Sequence, residues 1–462
     1  MSLSRKILSR KFCDQPQPLG FDSYFDGAVL QREKVNLIYG TCSDQPIFRF
    51  EGTEYKCVSN GKYWHTFLPP IPAGGPYTME IVCLNQRSSV QVFFGDVFLL
   101  AGQSNMEWTM AQCASSDKVS QELTSASDNL LRLFNIHCDF CENEREQLKE
   151  NVAWVSATGD RVENFSSLGY LFGKYYRART NVPVGLVSTA VGGTSLTFWQ
   201  ESQTQKKLVQ DGVQIFVDKT QPIFTPSIGY NALINPLTAN SYKAVLWYQG
   251  ESNTENELHF SGYHAQLVAL INSWRKLFGD STLHFSLFQL ARFENNQKGF
   301  CEVNFQINKV AENLSHCNVV VTHDLGEFHN IHPADKSIPA KRAVDSFLAT
   351  TGKAYCTAKT MKLKCVQRTE KGVLLVFDNV YDGIVVKNRL NGLSVSSDGK
   401  TYKLAEKYSI KKDSILLLDE NISYVRYGFD CKTYAEAEAD VSLLVSLYNS
   451  RSMPLDLFSI QV

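Results

Sequence analysis

The chain has 462 residues, of which 44% are hydrophobic and 20% charged, and a formal net charge of −1. That length exceeds one hydrophobic core, so two or three domains are expected. The charge balance argues against a nucleic-acid or membrane-surface partner, and no stretch approaches the roughly 20 apolar residues that span a bilayer.

Residues 1–20 are polar and irregular and read as a tail. Met1 to Phe12 lacks the roughly 7–15-residue apolar core of a signal peptide, so a cytosolic location stays open. Over residues 21–91 the strand-like runs are short: Val29-Leu30-Gln31, Val35 to Tyr39, Ile47 to Phe50 and Tyr55 to Val58. Asn60-Gly61 and the Pro69 to Pro76 cluster punctuate them. This texture predicts an N-terminal β domain, sandwich-like in build.

Over residues 92–351 apolar strands alternate with helical patterns. The strands are Val97–Ala101, Val184–Thr189, Ala244–Tyr248, Phe285–Leu290 and Val319–Thr322. The helices are Leu168–Arg179, Tyr263–Phe278, Phe305–Ser315 and the stretch Pro333 to Leu348. In Tyr263–Phe278, apolar Leu267, Leu270, Ile271 and Trp274 recur at three and four residues, one buried helical face. The alternation predicts an α/β domain on a doubly wound parallel sheet. Residues 352–462 return to β texture, with strands at Val373–Phe377, Ile384–Val386, Leu393–Val395 and Ile415–Leu418 and a turn at Asp398-Gly399.

The chain holds 12 cysteines. Cys138-Asp139-Phe140-Cys141 is the close pair, without the second pair a zinc knuckle needs. His323, Asp324, His329 and His332 resemble metal ligands, but they fall in a loop with Gly326 rather than on one helical face. No metal is expected. Asn164-Phe165-Ser166, Asn313-Leu314-Ser315 and Asn421-Ile422-Ser423 are glycosylation sequons.

Four stretches fall just past expected strands, where open α/β sheets place their active crevice. They are Gly102-Gln103-Ser104-Asn105-Met106, Gly192-Gly193-Thr194, Gln249-Gly250-Glu251-Ser252-Asn253 and Asn330-Ile331-His332-Pro333. Each supplies one component of acyl-transfer chemistry. A serine hydroxyl needs a base within hydrogen-bond reach, and a histidine, with an ordinary pKa of roughly 6.5, accepts and returns a proton near neutrality. That makes Ser104 a candidate nucleophile and His332 a candidate base. The oxyanion of a tetrahedral intermediate needs donors already aimed at it. The backbone N–H groups of Ser104 and Gly193 and the side-chain amide of Gln249 are the candidates, Gly193 because it brings a backbone N–H close with no Cβ in the way.

These blocks resemble those of sialate O-acetylesterases, members of the SGNH (GDSL-like) hydrolases. Trp199, the fuller run Trp247-Tyr248-Gln249-Gly250-Glu251-Ser252-Asn253, Val29-Leu30-Gln31 and Tyr230 to Pro236 extend the likeness, which is clear from about Ser23 to Lys336. The resemblance implies an SGNH-type sheet flanked by the two β-rich domains, and hydrolysis of O-acetyl esters on sialic acid, typically at the 9-position. It implies no metal, no organic cofactor and a glycan partner, in a lysosomal or secreted protein. It also carries Ser104 and His332 as catalytic residues, with Ser104, Gly193 and Gln249 as the oxyanion hole. Gln249 stands where wider SGNH hydrolases place an asparagine. Asn105, Asn231, Trp199 and Glu251 are candidate substrate contacts.

The family's aspartate before the histidine is missing: His329 and Asn330 occupy the usual places. The base still benefits from an acceptor for its Nδ1–H. Asp324 is the first candidate, with Glu327 and a backbone carbonyl as alternatives. Competing functions are a deacetylase of other sugars, such as acetylated xylan, and a carbohydrate-binding protein that keeps the fold without the chemistry.

Overall fold

The computed structural model describes residues 18–218, 220–293, 297–352, 359–419, 421–429 and 445–462. Most of the expected tail, residues 1–17, lies outside them. The chain divides into two compact units. The first takes the described residues up to Trp247, with Gln266–Phe285 and Ala334–Ser337; the second takes Tyr248–Ala265, Ser286–Pro333 and Ile338–Val462.

The first unit is built on one long strand, Gln86–Gly102. Its first half pairs antiparallel with Gly74–Cys83 and parallel with Ala28–Gln31. Its second half pairs parallel with Val184–Ser188, from Asp96 opposite Val184 to Leu100 opposite Ser188. The expected boundary between residues 91 and 92 therefore falls inside a single strand. Burial explains the change of texture read there: the first six residues are exposed or partly exposed, and from Val92 onward every residue is buried. Gly95 marks the switch of partners. A Cβ there would lie 1.9 Å from the Pro183 carbonyl oxygen, so only glycine lets the two backbones approach.

The strand order around this element is Val155–Thr158, Ser127–Asn135, Val184–Ser188, Gln86–Gly102, Ala244–Tyr248, then the strand beginning at His284. Ser127–Asn135 joins Val184–Ser188 in parallel, and the outer Val155–Thr158 is antiparallel. Helix Ser167–Thr180 begins one residue after Ser166, whose Oγ accepts the Gly169 N–H at 3.0 Å, a side-chain N-cap. Buried Asp96 ties the β-rich part to the parallel strands. Its carboxylate accepts from Arg32 Nε at 2.9 Å, Arg32 Nη2 at 3.0 Å, Gln31 Nε2 at 3.3 Å and Tyr176 OH at 2.9 Å. Burial alone would raise its pKa; the bond and charge of Arg32 lead the groups that hold it below the ordinary value.

In the second unit Cys317–Val320 lies beside His284–Phe288, and helices Gln297–Asn313 and Ser337–Thr350 precede the C-terminal β region. That region has one antiparallel sheet of Lys362–Thr369, Gly372–Asp378, Ser414–Leu417 and Tyr408–Ile410, and another through Leu393–Ser396, Tyr424–Tyr427 and Phe458–Gln461. Val373, Leu375, Phe377, Val425, Tyr427 and Leu447 fill the core. The expected Asp398-Gly399 turn is present, with Asp398 Oδ1 accepting the N–H groups of Lys400 and Thr401 at 2.8 Å each. The molecule is thus a mixed α/β protein with several sheets.

Candidate active site

The long strand ends at Gly102, whose φ of +132° is open to glycine and strained for other residues. Gln103 is extended, and the single helical turn Ser104–Glu107 follows. The Trp108 N–H donates to the Ser104 carbonyl at 2.8 Å and closes the turn. Ser166 Oγ donates to the Met106 carbonyl at 2.5 Å, so the sequon serine that caps helix Ser167–Thr180 also anchors this turn. Ser104 is partly exposed between buried Gln103 and Asn105. A sharp strand-to-helix turn has put a hydroxyl at the surface of an otherwise buried segment.

The neighbouring strand delivers the glycine pair. Beyond Ser188 the ladder continues, with the Thr189 N–H on the Leu100 carbonyl at 2.9 Å and the Val191 N–H on the Gly102 carbonyl at 3.0 Å. The Gly192 N–H then donates to Glu107 Oε2 at 2.7 Å. A Cβ on Gly192 would lie 3.5 Å from Ser104 Cβ, so the structure brings the serine and the glycine turn together. Gly193 takes a φ of +73°, and Thr194 Oγ1 donates to the Val191 carbonyl at 2.8 Å and locks the turn.

Three residues expected to touch substrate are committed elsewhere in this unit. Trp199 is fully buried; its Nε1 donates to Thr194 Oγ1 at 2.9 Å and its carbonyl accepts Trp274 Nε1 at 3.2 Å. It braces the glycine turn from behind. Asn231 Nδ2 donates to the carbonyls of Cys141 and Glu142 at 3.0 and 2.8 Å, and holds the loop that carries Cys138 and Cys141, both free thiols. Asn105 Oδ1 accepts Lys336 Nζ at 2.6 Å.

In the second unit, Gln249 is fully buried at the end of Ala244–Tyr248. Its Nε2 donates to Asn253 Oδ1 at 2.8 Å, and its carbonyl and Oε1 accept Tyr263 OH at 2.7 and 3.2 Å. Gly250, at φ +147°, turns the chain, and Glu251 is buried on the short turn Glu251–Asn253, its carbonyl accepting Thr254 Oγ1 at 2.8 Å.

The His332 loop is braced by Asn330. Its Oδ1 accepts the His332 N–H at 3.0 Å, and its Nδ2 donates to the His332 carbonyl at 2.9 Å and to Glu327 Oε2 at 3.0 Å. Asp324, expected to orient His332, is spent on an ion pair. Arg342 Nη1 reaches Oδ1 at 2.5 Å, Nη2 reaches Oδ2 at 2.8 Å, and Tyr448 OH donates to Oδ2 at 3.2 Å. Burial would raise the Asp324 pKa, but the Arg342 guanidinium holds it below the usual carboxylate range. His323 is buried with Nε2 2.9 Å from the Leu455 carbonyl, and burial pushes its pKa down to about 3. Among the described residues, no group of three or more His, Cys, Asp or Glu side chains is arranged to hold a metal ion. Among them, no helix is long and apolar enough to cross a membrane.

Residues 94–343 match the family of carbohydrate esterases described as sialic acid-specific acetylesterase. The chain belongs to this family. It is accordingly a carboxylic ester hydrolase of the carbohydrate-esterase kind. The sialate O-acetylesterase of Mus musculus is 28% identical over 397 residues, covering 70% of this chain and 71% of the mouse protein. That of Rattus norvegicus is 27% identical over 396 residues, with the same coverage of both chains. A solved carbohydrate acetylesterase from Xanthomonas citri superposes with a TM-score of 0.80 at 25% identity, over 95% of this chain and 98% of that one. In this carbohydrate esterase, Lys336 carries no sequence signal of its own, and the one signal for Glu107 is its place three residues after the serine, one helical turn on.

Proposed function

We propose that this esterase removes O-acetyl groups from sialic acids, with the 9-position preferred, through a Ser104 acyl-enzyme on an SGNH-type, doubly wound sheet. The observation that carries the reading is the partly exposed Ser104 against Gly192 at the end of the buried strand. Ser104 Oγ attacks the acetyl carbonyl while His332 takes its proton. The backbone N–H groups of Ser104 and Gly193 and the side-chain amide of Gln249 serve the oxyanion, each worth roughly 3–4 kcal/mol in the transition state. Collapse of the tetrahedral intermediate breaks the bond to the sugar oxygen, which leaves with the proton held by His332. Water, deprotonated by His332, then attacks the acetyl-Ser104 ester and releases acetate. With Asp324 bound to Arg342, the reading is of a Ser–His pair, its histidine braced through Asn330.

The sialate O-acetylesterase relatives support sialic acid as the sugar. The Xanthomonas citri carbohydrate acetylesterase supports a second reading, a deacetylase of other acetylated sugars. Acetate release from 9-O-acetylated sialic acid and from acetylated xylan, with Ser104→Ala as control, decides between them. Release from the first alone is expected. Release from xylan, alone or alongside the first, selects the second reading.

A further inference from the structure

Glu107 lies on the same helical turn as Ser104, three residues on, so the two side chains share a face. It is half-buried, a costly place for a carboxylate unless a donor meets it. The donor is the Gly192 N–H, 2.7 Å from Oε2, and among the described residues it is the one hydrogen-bond partner of that side chain. Burial raises the Glu107 pKa, and the Gly192 bond opposes the rise. The space is matched to the bond: a Cβ on Gly192 would come within 2.8 Å of Oε2. On its other side the glycine pair is held by Thr194 Oγ1 on the Val191 carbonyl, and by Trp199 behind Thr194. The pair is therefore clamped from two directions. One clamp is core packing, and the other is attached to the nucleophile's own helical turn.

We propose that Glu107 is a positioning residue that holds the Gly192-Gly193 turn in register with Ser104, so that the Gly193 N–H points at the reacting carbonyl oxygen. This rests on the Ser104 nucleophile reading above. Nucleophile and oxyanion donor come from different strands, and a shift of about 1 Å between them is enough to cost roughly 100-fold in rate. Glu107 couples the two by one short bond that does not touch the sugar.

The test uses the full chain and 4-nitrophenyl acetate, with the thermal midpoint read in parallel. Glu107→Ala is expected to lower kcat by about 100-fold with KM within threefold of the parent, because the lost contact acts in the transition state. Glu107→Gln keeps an acceptor of the same reach and is expected to stay within about fivefold of the parent. Phosphonylation of Ser104 by a 4-nitrophenyl phosphonate, which builds a tetrahedral oxyanion, is expected to slow in step with kcat. Where Glu107→Ala does not fold, Glu107→Asp, one methylene shorter, takes its place with at least a tenfold loss expected. A kcat within threefold in Glu107→Ala or Glu107→Asp overturns the proposal. So does a Glu107→Gln variant as impaired as Glu107→Ala. Ser104→Ala reports separately: if it stays active, the nucleophile reading fails; if it is inactive while Glu107→Ala is fully active, the role of Glu107 alone is lost.

Discussion

Lys336 Nζ donates to Asn105 Oδ1 across 2.6 Å, and both residues are 2% exposed. Asn105 follows the candidate nucleophile directly, and Lys336 follows His332 by four residues in the chain. A buried ammonium on a neutral amide fixes the turn after Ser104 by a charge-assisted bond, stronger than a neutral pair. Lys336→Met removes that donor and is expected to cost about 1–3 kcal/mol of stability. It is also expected to lower the 4-nitrophenyl acetate turnover by about tenfold, with urea unfolding and steady-state kinetics as the measurements. An unchanged urea midpoint would show that the bond contributes nothing.

Asp324 and Arg342 form a buried, two-point ion pair, so removing one partner strands the other charge. Asp324→Asn is expected to destabilise the protein by about 3–5 kcal/mol. The kcat of the folded fraction is expected to stay within tenfold. A kcat loss beyond a thousandfold at unchanged stability would return Asp324 to the role of orienting His332.

Buried His323 gives a pH dependence of definite sign. Its folded pKa is about 3, while the unfolded chain titrates near 6.5. Below pH ~6.5 the unfolded state therefore binds a proton that the folded state refuses, and stability falls as pH drops toward 3. Asp324 acts in the same direction at lower pH. Its folded pKa is depressed, so its contribution is present above the unfolded value near 3.9 and is lost as pH falls through the folded one. Urea midpoints from pH 7 to 4 are expected to decline in the parent and to flatten in His323→Gln. An equal decline in both would assign the effect to other groups.

Trp199 separates bracing from sugar contact. Trp199→Phe keeps an aromatic ring, smaller than the indole, and deletes the bond to Thr194 Oγ1. The expected result is a lower thermal midpoint and a reduced kcat, with KM for 9-O-acetylated sialic acid unchanged. A tenfold rise in KM at constant stability would instead mean that the indole touches substrate.

What the sequence disclosed follows from the physics of each feature. Ala244–Tyr248, Ile47–Phe50 and Ile384–Val386 match their expected limits, because short apolar or alternating runs report burial directly. Helix Gln297–Asn313 begins well before the expected Phe305, since its first turns hold Gly299 and polar residues that dilute the periodicity. Gly299 is there because Thr254 passes close: a Cβ would sit 1.9 Å from its carbonyl oxygen. At the candidate site, Ser104 and Gly192-Gly193 were legible as strand ends with special backbone. The partners of Asp324, Asn231 and Trp199 were not, because they lie 18, 90 and 5 residues away, and nothing in local spacing says which polar atom a buried side chain will meet.

The seventeen-residue strand Gln86–Gly102 has a consequence for how this molecule can be altered. Its register against Ala28–Gln31 and its register against Val184–Ser188 are properties of one continuous backbone. Inserting or deleting a single residue near Val92 would turn every side chain beyond it to the opposite face and carry Ser104 with them. The β-rich N-terminal part is therefore no detachable module. A chain begun at residue 92 would leave the backbone of Val92–Gly95 bare where Ala28–Gln31 had paired with it, and would be expected to aggregate before it turned over any ester.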